Sequence, residues 1–268
     1  MGFLSSLRLL LAVSLVLACS WASITPGVAE VDLIFPRNDS YPPSQLIPIV
    51  FAIQNPSVFS SLEPRIRYHV KQHNVTLNEG IHRSGEIKLS RYNYTGSDPY
   101  FLYWSIDYLD FEGIFSIYWQ LLMFHCTADA DFGFLGSPRH ESFFSIKNGT
   151  SPADFVAATE DDTCDQSLAQ AVRVPDVRKV PSSQVWDGPS CAATANLVPT
   201  PTPCNVKMDS SAAASISGAL TSTACANPFL TALSCPIPTS ENAASIVQLP
   251  VGGLWTLAVG MLLAYAHA

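Results

Sequence analysis

The motifs of the common catalytic chemistries are missing from this sequence. No Gly-x-Ser-x-Gly elbow presents a serine nucleophile, no His-Glu-x-x-His pair stands ready for zinc, and no glycine-rich loop cradles a phosphate. No Cys-x-x-Cys pair occurs, which argues against a zinc site. A basic excess is missing too: 14 Lys and Arg face 22 Asp and Glu, for a net charge of −8. That balance argues against nucleic acid as a partner and against an electrostatic membrane patch. Charge of either sign is scarce, at 13% of residues, and no Lys, Arg, Asp or Glu follows Val251.

The last of these gaps decides how the C-terminus reads. Residues 251–268 are an apolar run. As a helix rising about 1.5 Å per residue, it could just cross a hydrocarbon core of about 30 Å. A spanning segment normally carries Lys or Arg on its cytoplasmic side, and this one has none. A glycosylphosphatidylinositol (GPI) signal instead needs small residues at the attachment site, a polar spacer and a removable hydrophobic tail. Asn242-Ala-Ala244 supplies the small residues and 245–250 the spacer. The tail therefore reads as a GPI-signal propeptide over 243–268, in preference to a plain membrane anchor or a buried helix. Asn242 is the expected attachment residue, with Ser240 and Ala243 as rivals.

The other end agrees. Met1 to Arg8 is a weakly basic lead, 9–18 is an apolar run too short to span, and Ser20 and Ala22 place small residues before a cut after Ala22. Residues 1–22 read as a signal peptide. The expected location is the extracellular face of the plasma membrane or the cell wall, reached by secretion, with the GPI lipid as membrane partner.

Cys19 leaves with the signal peptide. Cys126, Cys164, Cys191, Cys204, Cys225 and Cys235 remain, an even set in an oxidising compartment, so a disulfide framework is expected. Six cysteines allow 15 pairings, and the sequence does not choose among them. N-glycosylation sequons stand at Asn38, Asn74, Asn93 and Asn148, while Asn55-Pro-Ser is excluded by its proline. A glycan must face water, so each sequon pins its segment to a surface turn or strand edge.

Composition changes near residue 150, and the sequence divides there into a β domain over 30–150 and a Cys-rich Ser/Thr/Pro/Ala segment over 151–240. In the first part, β-forming runs at 31–35, 46–53, 65–71, 81–89, 100–108, 115–126 and 141–146 alternate with turn clusters. The run at 65–71 alternates cleanly: Ile66, Tyr68 and Val70 on one face, Arg65, Arg67, His69 and Lys71 on the other. About seven strands without an amphipathic helix predict an antiparallel β-sandwich. Asp110-x-x-Gly-x-Phe115, with Trp119 available for the core, favours an immunoglobulin-like version, although Phe115 has no hydroxyl for a tyrosine corner. In the second part, Asp209 predicts the cap of a short helix over about 210–224, with Ile216 and Leu220 on one face. So little apolar surface would not fold alone, and needs disulfides or docking onto the β domain. A disordered mucin-like stalk is the alternative, which five cysteines argue against.

Val31-Asp-Leu-Ile-Phe-Pro-Arg-Asn38, Ile49-Val-Phe-Ala-Ile-Gln-Asn55 and Pro203-Cys-Asn-Val-Lys207, followed by the Ala/Ser-rich helix and Cys225, resemble a family of secreted, often GPI-anchored proteins of filamentous fungi. That family is known only as a domain of unknown function. The resemblance implies a fungal origin, one continuous unit and a surface location, and carries no catalytic residues.

Candidate chemistry is thin. His69 and His73 would share a strand face, with His82 not far on, but Arg67 and Lys71 beside them would repel a metal cation. Carboxylates that could pair for glycoside hydrolysis are Asp107, Asp110, Glu112, Asp129, Asp131 and those of 160–162, all in apparent turns where acids solvate the chain. The last group could at best hold Ca²⁺. Tyr100, Tyr103, Trp104 and Tyr108 are the aromatics best placed to stack on a sugar, against the reading that most of them are core. The sequence thus predicts a non-enzymatic, cofactor-free and metal-free surface protein with a structural or adhesive role. Its alternatives are a carbohydrate-binding module for cell-wall glucan or chitin, and an unrecognised wall-modifying enzyme.

Overall fold

The structure, a computed structural model, describes residues 26–75, 80–94, 96–126, 132–179, 190–195, 197–227 and 235. The expected signal peptide, Asn242, Asp129, Asp131 and the apolar C-terminal run lie outside these residues. Among the described residues no helix is long and apolar enough to cross a membrane.

Two antiparallel sheets face each other as a β-sandwich. The smaller has the order β10-β1-β3-β6, from Ala169–Val174, Gly27–Phe35, Ser44–Gln54 and Tyr100–Leu109. The larger runs β2-β9-β7-β4-β5, from Ser40–Tyr41, His140–Ile146, Gly113–Cys126, Arg65–His73 and His82–Lys88, with β8 (Phe132–Gly136) also paired to β7. Strands β1, β3 and β6 take the A, B and E places of an immunoglobulin-like sandwich, and β9, β7, β4 and β5 the G, F, C and C′ places. The short β2 crosses from the end of β1 to pair parallel with β9.

Alternation explains the layers. On β4, Ile66, Tyr68 and Val70 are buried while Arg67, His69 and Lys71 reach solvent. On β3, Pro48 pairs only toward β6, opposite Ser105, because the β1 pairing ends at Val50; its missing N–H therefore falls where the strand is locally an edge. Between the sheets Trp119 is fully buried, its ring edge-on to Phe51 at 5.3 Å and stacked on His140 at 4.4 Å. Phe115 stacks on Phe144 at 5.6 Å.

The described residues from 151 to 227 belong to the same body as the sandwich. Strand β10 pairs with β1 along six residue pairs, and the described residues up to Asn227 fall in one compact unit. The compositional shift near 150 therefore falls inside one compact unit. A ribbon of β11 (Asp176–Lys179) and β12 (Ser190–Ala193) is tied to the end of β7 by the Cys126–Cys191 disulfide. Residues 200–208 form a strap over the outer face of the smaller sheet, joined to the 157–165 loop by Cys164–Cys204. Cys225 and Cys235 are also disulfide-bonded. Helix α1, Ser210–Ala226, starts where the Asp209 side chain accepts from Ala212 N at 2.7 Å, and buries Ile216 beside β3.

Candidate binding face

The two outer faces of the sandwich differ. That of the smaller sheet is closed by the strap and α1. That of the larger sheet has no element packed on it among the described residues, and its outward side chains make a polar track. Along β4 the track reads Arg65, Arg67, His69, Lys71, His73, with neither an acid nor a large apolar residue among them. Register sets Gln120, Tyr118 and Ser116 of β7 beside Arg67, His69 and Lys71, and Lys88, Glu86 and His82 of β5 on the other flank.

Contacts hold these groups in place. Glu86 accepts from both Arg65 and Arg67 at 3.3 Å, and the Arg65 guanidinium lies over the Phe124 ring at 5.5 Å. His73 Nε2 is 2.8 Å from Ser116 Oγ, and its ring is 5.3 Å from Phe143, which is 46% exposed. The Tyr118 phenol is raised above its ordinary range, chiefly by its hydrogen bond with Glu141. In the middle of the track, Arg67, His69, Tyr118, Gln120 and Arg139 surround a shallow depression of about 270 Å³ floored by Trp119.

The aromatics singled out in the sequence lie elsewhere, on β6 at the free edge of the smaller sheet. Tyr100 packs with Tyr92 and Tyr94, at centroid distances of 6.4 and 5.0 Å, and burial raises all three phenols. Trp104 is 46% exposed but stands on the core-facing side, opposite Ile49, and hydrogen-bonds Tyr68. Tyr103 points to the other face, opposite Val50. Tyr108 is part of β6, but its side chain lies outside the description. Tyr100, Tyr103 and Trp104 therefore form no common row.

The histidines are not gathered for a metal: His69 and His73 stand about 13 Å apart along the strand at roughly 3.3 Å per residue. Among the described residues no group of three or more His, Cys, Asp and Glu could hold one. Asp107 pairs with Arg83 at 3.6 Å, Glu112 accepts from Asn148 N at 2.7 Å, and Asp161 accepts from Lys207 at 2.6 Å.

One carboxylate pair is buried, and sequence reasoning missed it. Glu30 and Asp32 project from β1 to its outer side and are 4% and 1% exposed beneath the strap. Thr202 N donates to both oxygens of Glu30, at 2.7 and 2.9 Å, and Gln54 Nε2 donates to Asp32 Oδ2 at 2.9 Å. Burial, then hydrogen bonding with Glu30 and its charge, push the Asp32 carboxyl up to about 8, against the opposing effects of Gln54 and Arg37. The available signal was two acids alternating with Ala29, Val31 and Leu33 in an apolar strand. Closed off from solvent, the pair fastens the strap and has no room for a substrate.

A lateral cleft of about 810 Å³ opens beside β2 and β9, lined among others by Arg37, Asp39, Tyr41, Glu141, Phe143 and Asp165. Arg37 Nε donates to Ile34 O at 3.0 Å, and burial pushes the Tyr41 phenol up to about 12. Asn38 stands at the rim of this cleft, and Asn74, Asn93 and Asn148 are likewise exposed and outside the strands.

Comparison with known proteins gives one match. A family model described as "Domain of unknown function (DUF7136)" covers residues 24–235, and so both the sandwich and the strap. No curated protein matches the chain.

Proposed function

From the premise that the chain belongs to this family of unknown function, we propose that it is a secreted, N-glycosylated, GPI-anchored surface protein with an adhesive or structural role and no catalysis of its own. The observation that carries the reading is the asymmetry of the sandwich. One outer face is sealed by the strap and its disulfide, while the other presents a polar and aromatic track to solvent. A protein that works by contact needs such a face, set on a cross-linked body. The closed carboxylate pair gives a hydrolase nothing to work with. The anchor is tested by treating intact cells with a phosphatidylinositol-specific phospholipase. Release of the protein is expected; retention on washed membranes counts against the anchor.

A second reading, a carbohydrate-binding module for wall glucan or chitin, is favoured by the depression beside Tyr118. Its rim supplies donors and acceptors at a scale suited to a sugar ring. Retention of the secreted protein on insoluble glucan or chitin, and its loss on Tyr118→Ala, would support that reading.

A further inference from the structure

We propose that the outer face of the larger sheet binds an acidic polysaccharide, laid along β4. The proposal rests on the adhesive reading above and specifies the partner's chemistry. Its first support is the local charge. On a chain whose net charge is −8, this face gathers, among the described residues, Arg65, Arg67, Lys71, Lys88 and Arg139 against Glu86 and Glu141. Glu86 is already engaged by Arg65 and Arg67, and Glu141 by Tyr118. Near physiological salt, charges farther than about 8–10 Å are largely screened. A ligand on the face therefore responds to these cations and little to the acidic remainder of the molecule.

The second support is spacing. Outward residues on one strand recur about every 7 Å, so Arg65, Arg67, His69, Lys71 and His73 form a straight ladder. A linear polymer with a carboxylate on successive sugar units can meet several rungs at once, and Arg can engage a carboxylate with two parallel hydrogen bonds.

The third support separates a sugar polymer from other polyanions. Beside the ladder stand the neutral hydrogen-bonding groups Tyr118 and Gln120, suited to hydroxyls, and at its end lies the exposed ring of Phe143. Duplex DNA or a lipid surface would use the cations and leave these groups idle.

The test uses the secreted protein made from the full chain, with soluble polygalacturonate as the acidic probe. Neutral β-glucan, chitin, duplex DNA and phosphatidylserine vesicles are the comparators. Polygalacturonate should bind and be released by raising the salt. The Arg67→Ser/Lys71→Ser variant should bind it about tenfold more weakly with an unchanged thermal midpoint, consistent with charges that set specificity. Arg139→Ser offers the same readout at a loop position, and Arg173→Ser, on the other sheet, should change nothing. Binding to glucan or chitin without preference for the acidic polymer would overturn the proposal and leave the adhesive reading standing. Equal binding to DNA or vesicles would overturn it by showing that charge alone is read. Binding to none of the polymers would overturn both.

Discussion

Asp32 shows how a single residue couples the strap to pH. Its carboxyl faces Glu30 on the same strand, Gln54 from β3 and the Arg37 guanidinium, and is pushed up to about 8, first by burial and then by Glu30. The folded state thus keeps a proton that the unfolded chain releases near pH 4. The folded state binds more protons between those two values, so this group's contribution to stability is fully present below pH 4 and is lost as pH rises toward 8. Asp32→Asn mimics the protonated acid, since its amide can donate to Glu30 and its carbonyl can accept from Gln54. The variant should lose this slope and exceed the wild type at pH 8 by about 1–3 kcal/mol, the cost of an uncompensated buried polar group. Urea unfolding at pH 5 and pH 8 measures it. A variant weaker than wild type at both pH values would show that Asp32 serves as an anion.

At the scale of elements, the strap is the piece that most depends on covalent help. It is held by Cys164–Cys204, by the Glu30–Thr202 hydrogen bonds, and by Lys207 and Met208 bonding Thr159. A cross-link closing a loop of 40 residues removes unfolded-state entropy worth about 3–4 kcal/mol. Cys164→Ser/Cys204→Ser should lower unfolding stability by about that amount. Its hydrogen exchange should rise first over 200–208, with β4 and β7 still protected; uniform loss of protection would mean that strap and sandwich unfold together.

The elements also show what the sequence made legible. The seven main strands and α1 could be read because their alternation or capping is local: β4 carries one wet and one dry face, and Asp209 begins the helix. Strand β10 went unread because Ala169-Gln-Ala-Val-Arg-Val174 is short and alanine-rich, and gains its strand character only by pairing with β1. Cysteine pairing over 65 and 40 residues is set by where loops return, which no local pattern encodes. The binding face was half visible. Arg65 to Lys71 declared a solvated strand face, but its union with Tyr118 and Gln120 requires the β4–β7 register.

For the whole molecule, the question is how glycosylation would leave the two open features, the face and the cleft. Each sequon asparagine is exposed and stands outside the strands: Asn38 between β1 and β2, Asn74 after β4, Asn93 before β6, Asn148 after β9. Glycans there would ring the sandwich, with the one on Asn74 adjoining only the His73 end of the β4 ladder and leaving Arg65 to Lys71 clear. The lateral cleft has Asn38, Gly149 and Thr150 in its wall, so chains on Asn38 and Asn148 would crowd its mouth. Enzymatic removal of N-glycans from the secreted protein should therefore lower its mass in discrete steps. It should move the thermal midpoint by less than about 2–4 °C, the equivalent of about 1 kcal/mol for a chain this size, because the sequon side chains already face water. Binding at the ladder should be unchanged by this treatment, whereas a ligand seated in the cleft should gain affinity. Polygalacturonate binding that appears only after deglycosylation would move the contact surface from the larger sheet to the cleft beside β9.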